Sequence, residues 1–569
     1  MTIDFSCPDW FEKLKAGRSP LPDNLPLDEE EARLAVEAYG KLRLPDVPGK
    51  PLIRDVGAQW ALDFVAAIFG LVEMNDDRTV VVNRKARKFF QLVPKKNSKT
   101  TNGAAIMMTA MIRNRRPNAE FLLVGPTQAT AERAYEQAEG MVNADPWLKA
   151  RFHPREHIKT IEDRTLGAKL RIRSFDNKVV TGVKPVGVLV DELHELGKIA
   201  YARKVMTQIE GGIVANAEGF VVIITTQSDE PPCGVFEDEL KLARAVRDGA
   251  FAGGEMLPMI YEFPRDMQAD ESQPWADPAN WPLVLPNLGR SITIERLLPR
   301  FRESREAGIE TLSIWASQHL NVEIGVAINK DRWAGASYWE AAARPGLDLD
   351  QLIDASDVCV VGIDGGGLDD LMAMAVIGRE RRSRTWLHWA RAWAHPDVFE
   401  RRKEIASKLT DFERDGDLVV CEDTDQDVIE IADICERLFL SGKLPEKAGI
   451  GLDAYGVASL LDALAERDMA GDLTMAVGQG WKLQSAVTTL PRKLKDRTMQ
   501  HCGQRLMAWA VGNAKMELKG SNYIVTKQAA GASKIDPLMA TFNAAMLMFR
   551  NPEASGGPSV YEERGILMV

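Results

Sequence analysis

Two adjacent carboxylates, Asp191 and Glu192, follow the apolar run 186–190. Such a run is typical of a strand buried on both faces, so both acids are expected at its carboxyl end. In an open α/β sheet this edge is where ligands bind. One carboxylate there can hold a hydrated Mg²⁺ while the other orients or activates water against a phosphate. The alternative is an ordinary acidic cap at the start of a helix.

A basic segment, Val93-Pro94-Lys95-Lys96-Asn97-Ser98-Lys99-Thr100, lies between a strand pattern and a helical pattern. This order predicts a phosphate-binding loop, in which backbone N–H groups and a helix N-terminus face an anion. Lys99 is then expected to reach the β and γ phosphates, and Thr100 to ligate Mg²⁺. Both glycines of the usual G-x-x-x-x-G-K-[ST] pattern are missing, so a solvated basic loop is the alternative.

Three aspartates in the second half of the chain, Asp364, Asp453 and Asp536, each adjoin an apolar segment. The first ends a buried strand pattern and precedes two predicted antiparallel strands, which resembles the ribonuclease H fold. Enzymes of that fold cut nucleic acids with two Mg²⁺ or Mn²⁺ ions, about 4 Å apart, held by carboxylates. Alternatively, Asp364 starts a turn, Asp453 caps a helix and Asp536 is an ordinary acid at a helix N-terminus.

The elements that position these residues alternate between strand and helix in the first half. Strands are predicted at 89–93, 121–124, 170–175, 186–190 and 220–224, with helices at 60–69, 104–111 and 129–142. This alternation indicates a mainly parallel sheet with crossover helices. A Pro-Gly turn in the segment 339–349 then marks a boundary between about 328 and 354, after which strand patterns begin again.

Composition restricts the class of protein. A chain of 569 residues with 45% hydrophobic and 27% charged residues is expected to form several soluble domains. There is no apolar run of the roughly 18 residues that a membrane span needs and no signal-peptide pattern, so we expect an intracellular protein. The six cysteines are far apart and predict neither a zinc site nor a disulfide framework. The net charge of −11 excludes a uniformly basic surface but not local DNA-binding patches.

Taken together, the motifs resemble the large terminase subunit, the DNA-packaging motor of tailed double-stranded DNA bacteriophages and prophages. The matching stretches are Ser98-Lys99-Thr100, the acidic stretch 190–195, Thr225-Thr226-Gln227, Gln318-His319-Leu320-Asn321 and Lys534-Ile535-Asp536. The resemblance covers about 50–550 and is specific in combination. It implies an α/β protein with an N-terminal P-loop ATPase and a C-terminal RNase H-like nuclease domain. The expected bounds are a leader at 1–50, the ATPase at 51–335, a linker at 336–353 and the nuclease at 354–569.

The resemblance also implies residue roles. ATP and its Mg²⁺ would be held by the loop 95–100, that is Lys95, Lys96, Asn97, Ser98, Lys99 and Thr100, together with Asp191. Glu192 would activate water, and Thr225, Thr226 and Gln227 would couple hydrolysis to movement on DNA. Arg84 and Arg87 are candidates for an arginine finger. Asp364, Asp453 and Asp536 would hold the nuclease metal pair.

Partners follow from the same resemblance: double-stranded DNA, a small terminase subunit, the portal protein of a procapsid and further copies of the chain in a ring, in the cytoplasm of a bacterial host.

Three alternatives remain open at this point: a translocase or helicase without nuclease activity, an RNase H-like recombination or repair nuclease, and a noncatalytic DNA-binding scaffold.

Two further features are candidates for the nuclease site. The acids from Glu422 to Asp427 are either metal ligands or a helix cap, and His501 either matches a family histidine or is structural.

Overall fold

The computed structural model describes residues 3–175, 184–270, 272–324, 333–366, 370–453, 458–519, 522–527 and 534–556. The chain divides into two compact units, residues 1–328 and 329–569. Within the described ranges, no helix is both long enough and apolar enough to cross a membrane.

The first unit contains the predicted alternation of strands and helices. Its strands are β1 (Val72–Met74), β2 (Val81–Arg84), β3 (Lys88–Leu92), β4 (Glu120–Gly125), β5 (Phe152–Arg155), β6 (Thr160–Asp163), β7 (Lys169–Ser174), β8 (Gly187–Asp191), β9 (Phe220–Thr225) and β10 (Met256–Ile260). Its helices are α1 (Trp10–Lys15), α2 (Glu29–Gly40), α3 (Ile53–Val56), α4 (Gln59–Gly70), α5 (Lys99–Arg113), α6 (Gln128–Ala144), α7 (Pro146–Arg151), α8 (Leu193–Leu196), α9 (Ala202–Val214), α10 (Gly234–Arg247), α11 (Arg265–Ala269), α12 (Ile294–Glu306) and α13 (Ile309–Leu320).

The main sheet of this unit has the strand order β10-β3-β9-β8-β4-β7-β6-β5. The pairs from β10 to β7 are parallel, and β6 and β5 add an antiparallel end. Every residue of β8 and β9 is buried, which is why both strands read as continuous apolar runs. The predicted mainly parallel sheet is confirmed, and it brings the carboxyl ends of β3, β8 and β9 to one edge.

The N-terminal fifty residues belong to the core of the first unit. Phe5, Trp10 and Tyr39 lie in the same apolar cluster as Phe64 and Phe89. The segment that we predicted to be a leader is therefore packed onto the sheet. The bound at residue 51 remains a prediction.

The second unit is built on another mixed sheet. Its strands are β11 (Ser356–Gly365), β12 (Met372–Glu380), β13 (Trp386–Ala394), β14 (Leu418–Val420), β15 (Ile450–Leu452), β16 (Thr474–Ala476), β17 (Met499–His501), β18 (Ala514–Lys519) and β19 (Asn522–Lys527). Its helices are α14 (Ala336–Trp339), α15 (Leu349–Ala355), α16 (Pro396–Arg401), α17 (Lys403–Arg414), α18 (Gln426–Leu440), α19 (Ala458–Ala465), α20 (Gln484–Lys495), α21 (Arg505–Asn513) and α22 (Asp536–Met548).

The sheet of the second unit has the order β14-β13-β12-β11-β15-β16, with β17 paired to β13. Strands β11, β12 and β13 form the predicted antiparallel meander, whereas β15 runs parallel to β11. Trp386, Trp389 and Trp393 are all buried on β13, which makes them core residues. The predicted linker 336–353 contains α14 and the start of α15, and its Trp339 is buried. The bounds at 336 and 354 stay predictions.

Candidate ATPase and nuclease sites

The predicted phosphate-binding loop lies between β3 and α5, at the carboxyl edge of the first sheet. Lys99 and Thr100 occupy the first turn of α5, as the motif requires. Lys96 and Ser98 have φ angles of 70° and 57°, in the left-handed region that glycine adopts without strain. Two non-glycine residues of the loop therefore adopt a backbone conformation that glycine usually provides.

Asn97 stabilises this strained path. Its side chain is completely buried, and its Nδ2 donates to the carbonyl oxygens of Pro94 (3.0 Å) and Lys95 (3.3 Å). Its Oδ1 accepts a hydrogen bond of 3.0 Å from the backbone N–H of Asn287. The Asn97 amide group therefore forms hydrogen bonds with three backbone groups and holds the loop in its left-handed conformation. Glycines would make that conformation accessible but would not stabilise it.

Two later segments hold the same loop from outside. The backbone N–H of Lys95 donates to the Gln318 carbonyl oxygen over 2.8 Å, and the Ser291 hydroxyl donates to the Lys96 carbonyl oxygen over 2.5 Å. Gln318 starts the Gln-His-Leu-Asn stretch that sequence reasoning singled out without a role. Its position shows that α13 braces the phosphate loop.

Asp191 and the loop are already connected. The Thr100 hydroxyl donates to Asp191 Oδ2 over 2.9 Å, while Asp191 Oδ1 is buried and has no hydrogen-bond partner among the described residues. Burial and the neighbouring Glu192 raise the pKa of Asp191 to about 7, and Lys99 opposes this rise. Burial also lowers the pKa of Lys99, against the attraction of both acids. A hydroxyl, an acceptor without a partner and a lysine at one edge fit a hydrated Mg²⁺ and a phosphate group.

Glu192 follows with a left-handed backbone, φ 55° and ψ 53°, which turns the chain away from β8 into α8. Its Oε2 lies 3.2 Å from Nδ1 of His194, a buried residue that sequence reasoning did not assign. The same Nδ1 is hydrogen bonded to the hydroxyls of Thr225 (3.1 Å) and Thr226 (3.4 Å). His194 therefore contacts the predicted catalytic acid and the predicted coupling segment at one atom.

The coupling segment itself is fully buried at the end of β9. Thr225, Thr226 and Gln227 have no solvent exposure. The Gln227 backbone N–H donates to Asn321 Oδ1 over 3.0 Å, and Asn321 Nδ2 donates to the Tyr261 carbonyl oxygen over 2.8 Å. The segment is thus joined to His194 on one side and to the end of α13 on the other.

The positions of Arg84 and Arg87 do not support the arginine-finger prediction. Both residues precede β3, at the sheet edge opposite to the phosphate loop. The buried Arg84 guanidinium donates to the carbonyl oxygens of Ile68 and Glu218, and Arg87 donates to that of Asn216. Both guanidinium groups are therefore hydrogen bonded to backbone carbonyl oxygens, which is a structural role.

In the second unit, Asp364 and Asp453 lie at the same sheet edge. Strands β11 and β15 are parallel and pair Ile363 with Leu452, the residues directly before the two aspartates. Adjacent strands are about 4.8 Å apart, so the two carboxyl groups leave the sheet as neighbours. This is the arrangement predicted from the two strand-end acids.

Asp536 reaches the same edge because α22 packs very closely on β11. A Cβ atom at Gly362 would lie 2.1 Å from the Ala540 carbonyl oxygen, so only glycine allows this approach. Asn543, fully buried on the same helix, donates from Nδ2 to the Ile363 carbonyl oxygen over 2.8 Å. These contacts fix the start of α22, where Asp536 stands, beside the end of β11.

Electrostatics shows that the three aspartates interact. Burial, and then repulsion from Asp536, Asp453 and Asp370, raise the pKa of Asp364 well above its ordinary value. Asp370 was not predicted. It forms an ion pair with Lys534, which is 3% exposed. A cluster of like charges with a raised pKa fits divalent cations, which would neutralise it. Nevertheless, the described residues contain no group of three His, Cys, Asp or Glu side chains arranged to hold a metal ion.

The competing candidates receive no support as nuclease ligands. Glu422 follows β14, three strands away from β11, and its backbone N–H is hydrogen bonded to Gln426 Oε1 (2.7 Å) at the start of α18. His501 stacks on Trp339 with ring centroids 4.1 Å apart, donates from Nε2 to the Trp339 carbonyl oxygen and accepts from the Gly503 N–H. Both ring nitrogens are therefore used for structure.

The fold and the two clusters define a protein that combines an ATPase unit with a nuclease unit. Residues 66–244 match the family model of the terminase large subunit ATPase domain, and residues 260–553 match that of the terminase large subunit endonuclease domain. The second match alone spans more than half of the chain, so the chain belongs to the terminase large subunit family. The predicted family, fold class and enzyme classes are confirmed, and the three alternatives given above are excluded.

Solved structures similar to this chain include three phage proteins. The HK97 bacteriophage large terminase has 15% identity and a TM-score of 0.45, over 90% of this chain and 98% of that chain. The large terminase of a thermophilic bacteriophage has 10% identity and a TM-score of 0.29, over 81% and 94%. The large terminase nuclease of the thermophilic phage G20c has 10% identity and a TM-score of 0.25, over 38% and 96%. No curated protein matches the chain.

Family membership establishes the activities in outline. The chain hydrolyses a nucleotide and cuts DNA in phage DNA packaging, and its two domains use a nucleotide and divalent metal. Assigning particular residues and ions to these steps depends on the geometry of the two carboxylate clusters.

Proposed function

We propose that residues 95–100 and Asp191 bind Mg²⁺-ATP and that Glu192 is the carboxylate that activates water. The observation that carries this assignment is the Thr100–Asp191 hydrogen bond beside the unpartnered Asp191 Oδ1. When bound, Mg²⁺ supplies charge neutralisation on the transferred phosphoryl group. Lys99 would hold the phosphates, and Asp191 would accept hydrogen bonds from water around the ion.

The coupling role of Thr225, Thr226 and Gln227 is supported by His194. Its Nδ1 lies within 3.4 Å of Glu192 and of both threonine hydroxyls. A shift of Glu192 between this contact and the water that it activates would change the hydrogen bonding of the threonines. Since the threonines end β9 and Gln227 is joined to α13, such a change can be transmitted to the rest of the unit.

In the second unit, Asp364, Asp453 and Asp536 would hold two Mg²⁺ or Mn²⁺ ions, which neutralise charge on the attacking and leaving oxygens of the phosphodiester. The proposal is supported by the shared sheet edge of the first two and by the raised pKa of Asp364. The protein's own contribution is to fix the third carboxylate through the contact of α22 with Gly362.

The wider setting also belongs to this proposal. The chain would package double-stranded DNA into a procapsid and cut concatemers, with a small terminase subunit, a portal protein and further copies of itself in a ring. We place it in the cytoplasm of a bacterial host.

The decisive experiment measures ATP hydrolysis and plasmid cleavage for Glu192→Gln and Asp364→Asn. Loss of a general base costs about 10²- to 10⁴-fold in rate, so E192Q should lose ATP hydrolysis and keep metal-dependent cutting. D364N should do the reverse. The matched control is Glu195→Gln, whose carboxylate contacts His194 Nε2 and Lys198. If E192Q hydrolyses ATP normally or D364N still cuts DNA, the corresponding assignment is wrong.

A further inference from the structure

A basic surface lies at the β5–β6–β7 end of the first sheet, on strands that the nucleotide site does not use. Lys169, Arg171 and Arg173 alternate along β7, so their side chains share one face. Strand pairing places Thr160 opposite both Arg155 and Arg171, which brings Arg155 to the same face. We call these four cations the basic face.

The basic face surrounds an open cavity of about 330 Å³, also lined by Ile158, Thr160, Glu162 and Ile172. The side chains of Arg155, Lys169, Arg171 and Arg173 keep 46%, 39%, 34% and 31% of their exposure. The cations are therefore ordered by the sheet and still accessible to a ligand.

Two carboxylates are shared among the four cations. Glu162 lies 2.5 Å from Arg155 and 3.8 Å from Lys169, and Glu120 lies 3.2 Å from Arg171 and 3.7 Å from Arg173. Two positive charges remain in excess, on a chain whose net charge is −11. Exposed ion pairs of this kind contribute only about 0–1 kcal/mol, so a phosphate can replace a carboxylate at low cost.

The cations form a row. Alternate residues of a strand are about 6.6 Å apart, so the three cations of β7 extend over about 13 Å. Cations arranged in a row can contact a series of phosphates. A single compact anion would instead need hydrogen-bond donors that converge on one point. Double-stranded DNA presents one negative charge per about 1.7 Å of its axis. Contacts to its backbone carry no sequence information, which suits a protein that must move along any sequence.

We propose that the basic face binds the phosphate backbone of double-stranded DNA, as a site separate from the ATPase and nuclease residues. The proposal rests on the proposed function only in taking duplex DNA as the substrate.

The test measures binding of the full-length protein to a random-sequence duplex as a function of salt concentration, in EDTA and without nucleotide. The test variant is Arg171→Gln with Arg173→Gln. The control is Arg33→Gln with Lys41→Gln, which removes the same charge from two exposed residues that contact Glu37, one in α2 and one directly after it. Each lost phosphate contact should reduce the slope of log K against log salt by about 0.9, so we expect a reduction of about 1.8. Affinity at low salt should fall at least about tenfold, and the control should match the wild type.

Basal ATP hydrolysis in the absence of DNA should be unchanged in both variants, which shows that the unit is folded. An unchanged slope for R171Q/R173Q, or an equal reduction in the control, would overturn the proposal. A change in self-association with an unchanged slope would also overturn it and assign the face to a neighbouring copy. Because neither hydrolysis nor cleavage takes place in this assay, its failure is distinct from failure of the catalytic assignments.

Discussion

The two carboxylate clusters of this chain differ in the source of their countercharge. In the first unit, Asp191 and Glu192 lie close enough to Lys99 to oppose the fall of its pKa, and Thr100 donates a hydrogen bond to Asp191. In the second unit, the charges that act on Asp364 are three further carboxylates. Lys534 is paired with Asp370, one of these three carboxylates.

This difference indicates two ways of building a phosphate-processing site. The proposed ATPase site is assembled by its own residues, since Thr100 is hydrogen bonded to Asp191 and the charge of Lys99 is attracted by both acids. In the second unit, strand pairing and the packing of α22 bring the three aspartates together against their mutual repulsion. The carboxylate cluster of the first unit should therefore tolerate changes in packing but not in hydrogen bonding. The cluster of the second unit should tolerate changes in hydrogen bonding but not in packing.

The largest effect is expected for Gly362→Ala. A methyl group there would overlap the Ala540 carbonyl oxygen and the Ala544 nitrogen, both backbone atoms of α22. We expect a loss of about 3 kcal/mol or more, a melting temperature lowered by about 6–12 °C and loss of DNA cleavage. ATP hydrolysis should survive. Gly211→Ala, which adds a methyl group in open space within α9, is the control and should not destabilise. Normal DNA cleavage by G362A would show that the aspartates of the second unit do not depend on the packing of α22.

The next effect concerns His194 in the first unit. His194→Ala removes the contact with Glu192 and both threonines, so we expect a decrease in kcat of ATP hydrolysis of about 10- to 100-fold. The affinity for a nonhydrolysable ATP analogue should stay within twofold. His194→Asn keeps a polar atom near the position of Nδ1 and should restore much of the rate. A reduced rate that is equal in both variants, or weaker nucleotide binding, would indicate a merely structural histidine.

A pH effect is expected on the stability of the second unit. His388 is completely buried below α22 and is hydrogen bonded through Nε2 to the Thr541 hydroxyl, and burial lowers its pKa to about 3. Because an unfolded histidine has a pKa of about 6.5, the unfolded state binds more protons between these values, and stability falls as pH decreases. At pH 5 this histidine lowers the free energy of unfolding by about 2 kcal/mol, which corresponds to a decrease of roughly 4–8 °C in melting temperature. His388→Gln should flatten this part of the stability curve, as measured by thermal unfolding between pH 7 and 5. An unchanged curve would contradict the assignment.

The smallest effect is expected for Ser98→Gly. Ser98 has a φ of 57°, and glycine relieves the strain of that conformation. The gain is of order 1 kcal/mol and appears as a small increase in the melting temperature of the first unit. The KM for ATP should change little because Asn97 still holds the loop. A large rise in KM would show that the serine side chain itself binds the nucleotide.

Much of the fold followed from local patterns. The buried strands around Val190 and Ile223 and the helix after Lys99 were predictable because apolar periodicity and strand-end acids are local signals. His194 was missed because its partners, Thr225 and Thr226, are about thirty residues away and a lone histidine carries no pattern. Arg84 and Arg87 are near the phosphate loop in sequence, but proximity in sequence does not show at which edge of the sheet a residue lies.

The sequence by itself determined which strands are buried and which residue types stand at their ends, since both follow from hydrophobicity and short spacing. Only the tertiary structure decided which of those ends share an edge. The parallel pairing of β11 with β15 and the close approach of α22 at Gly362 bring three distant aspartates together. Asn97 likewise stabilises a loop without glycines through Asn287, nearly two hundred residues away. Such contacts depend on packing geometry, which a linear pattern does not contain.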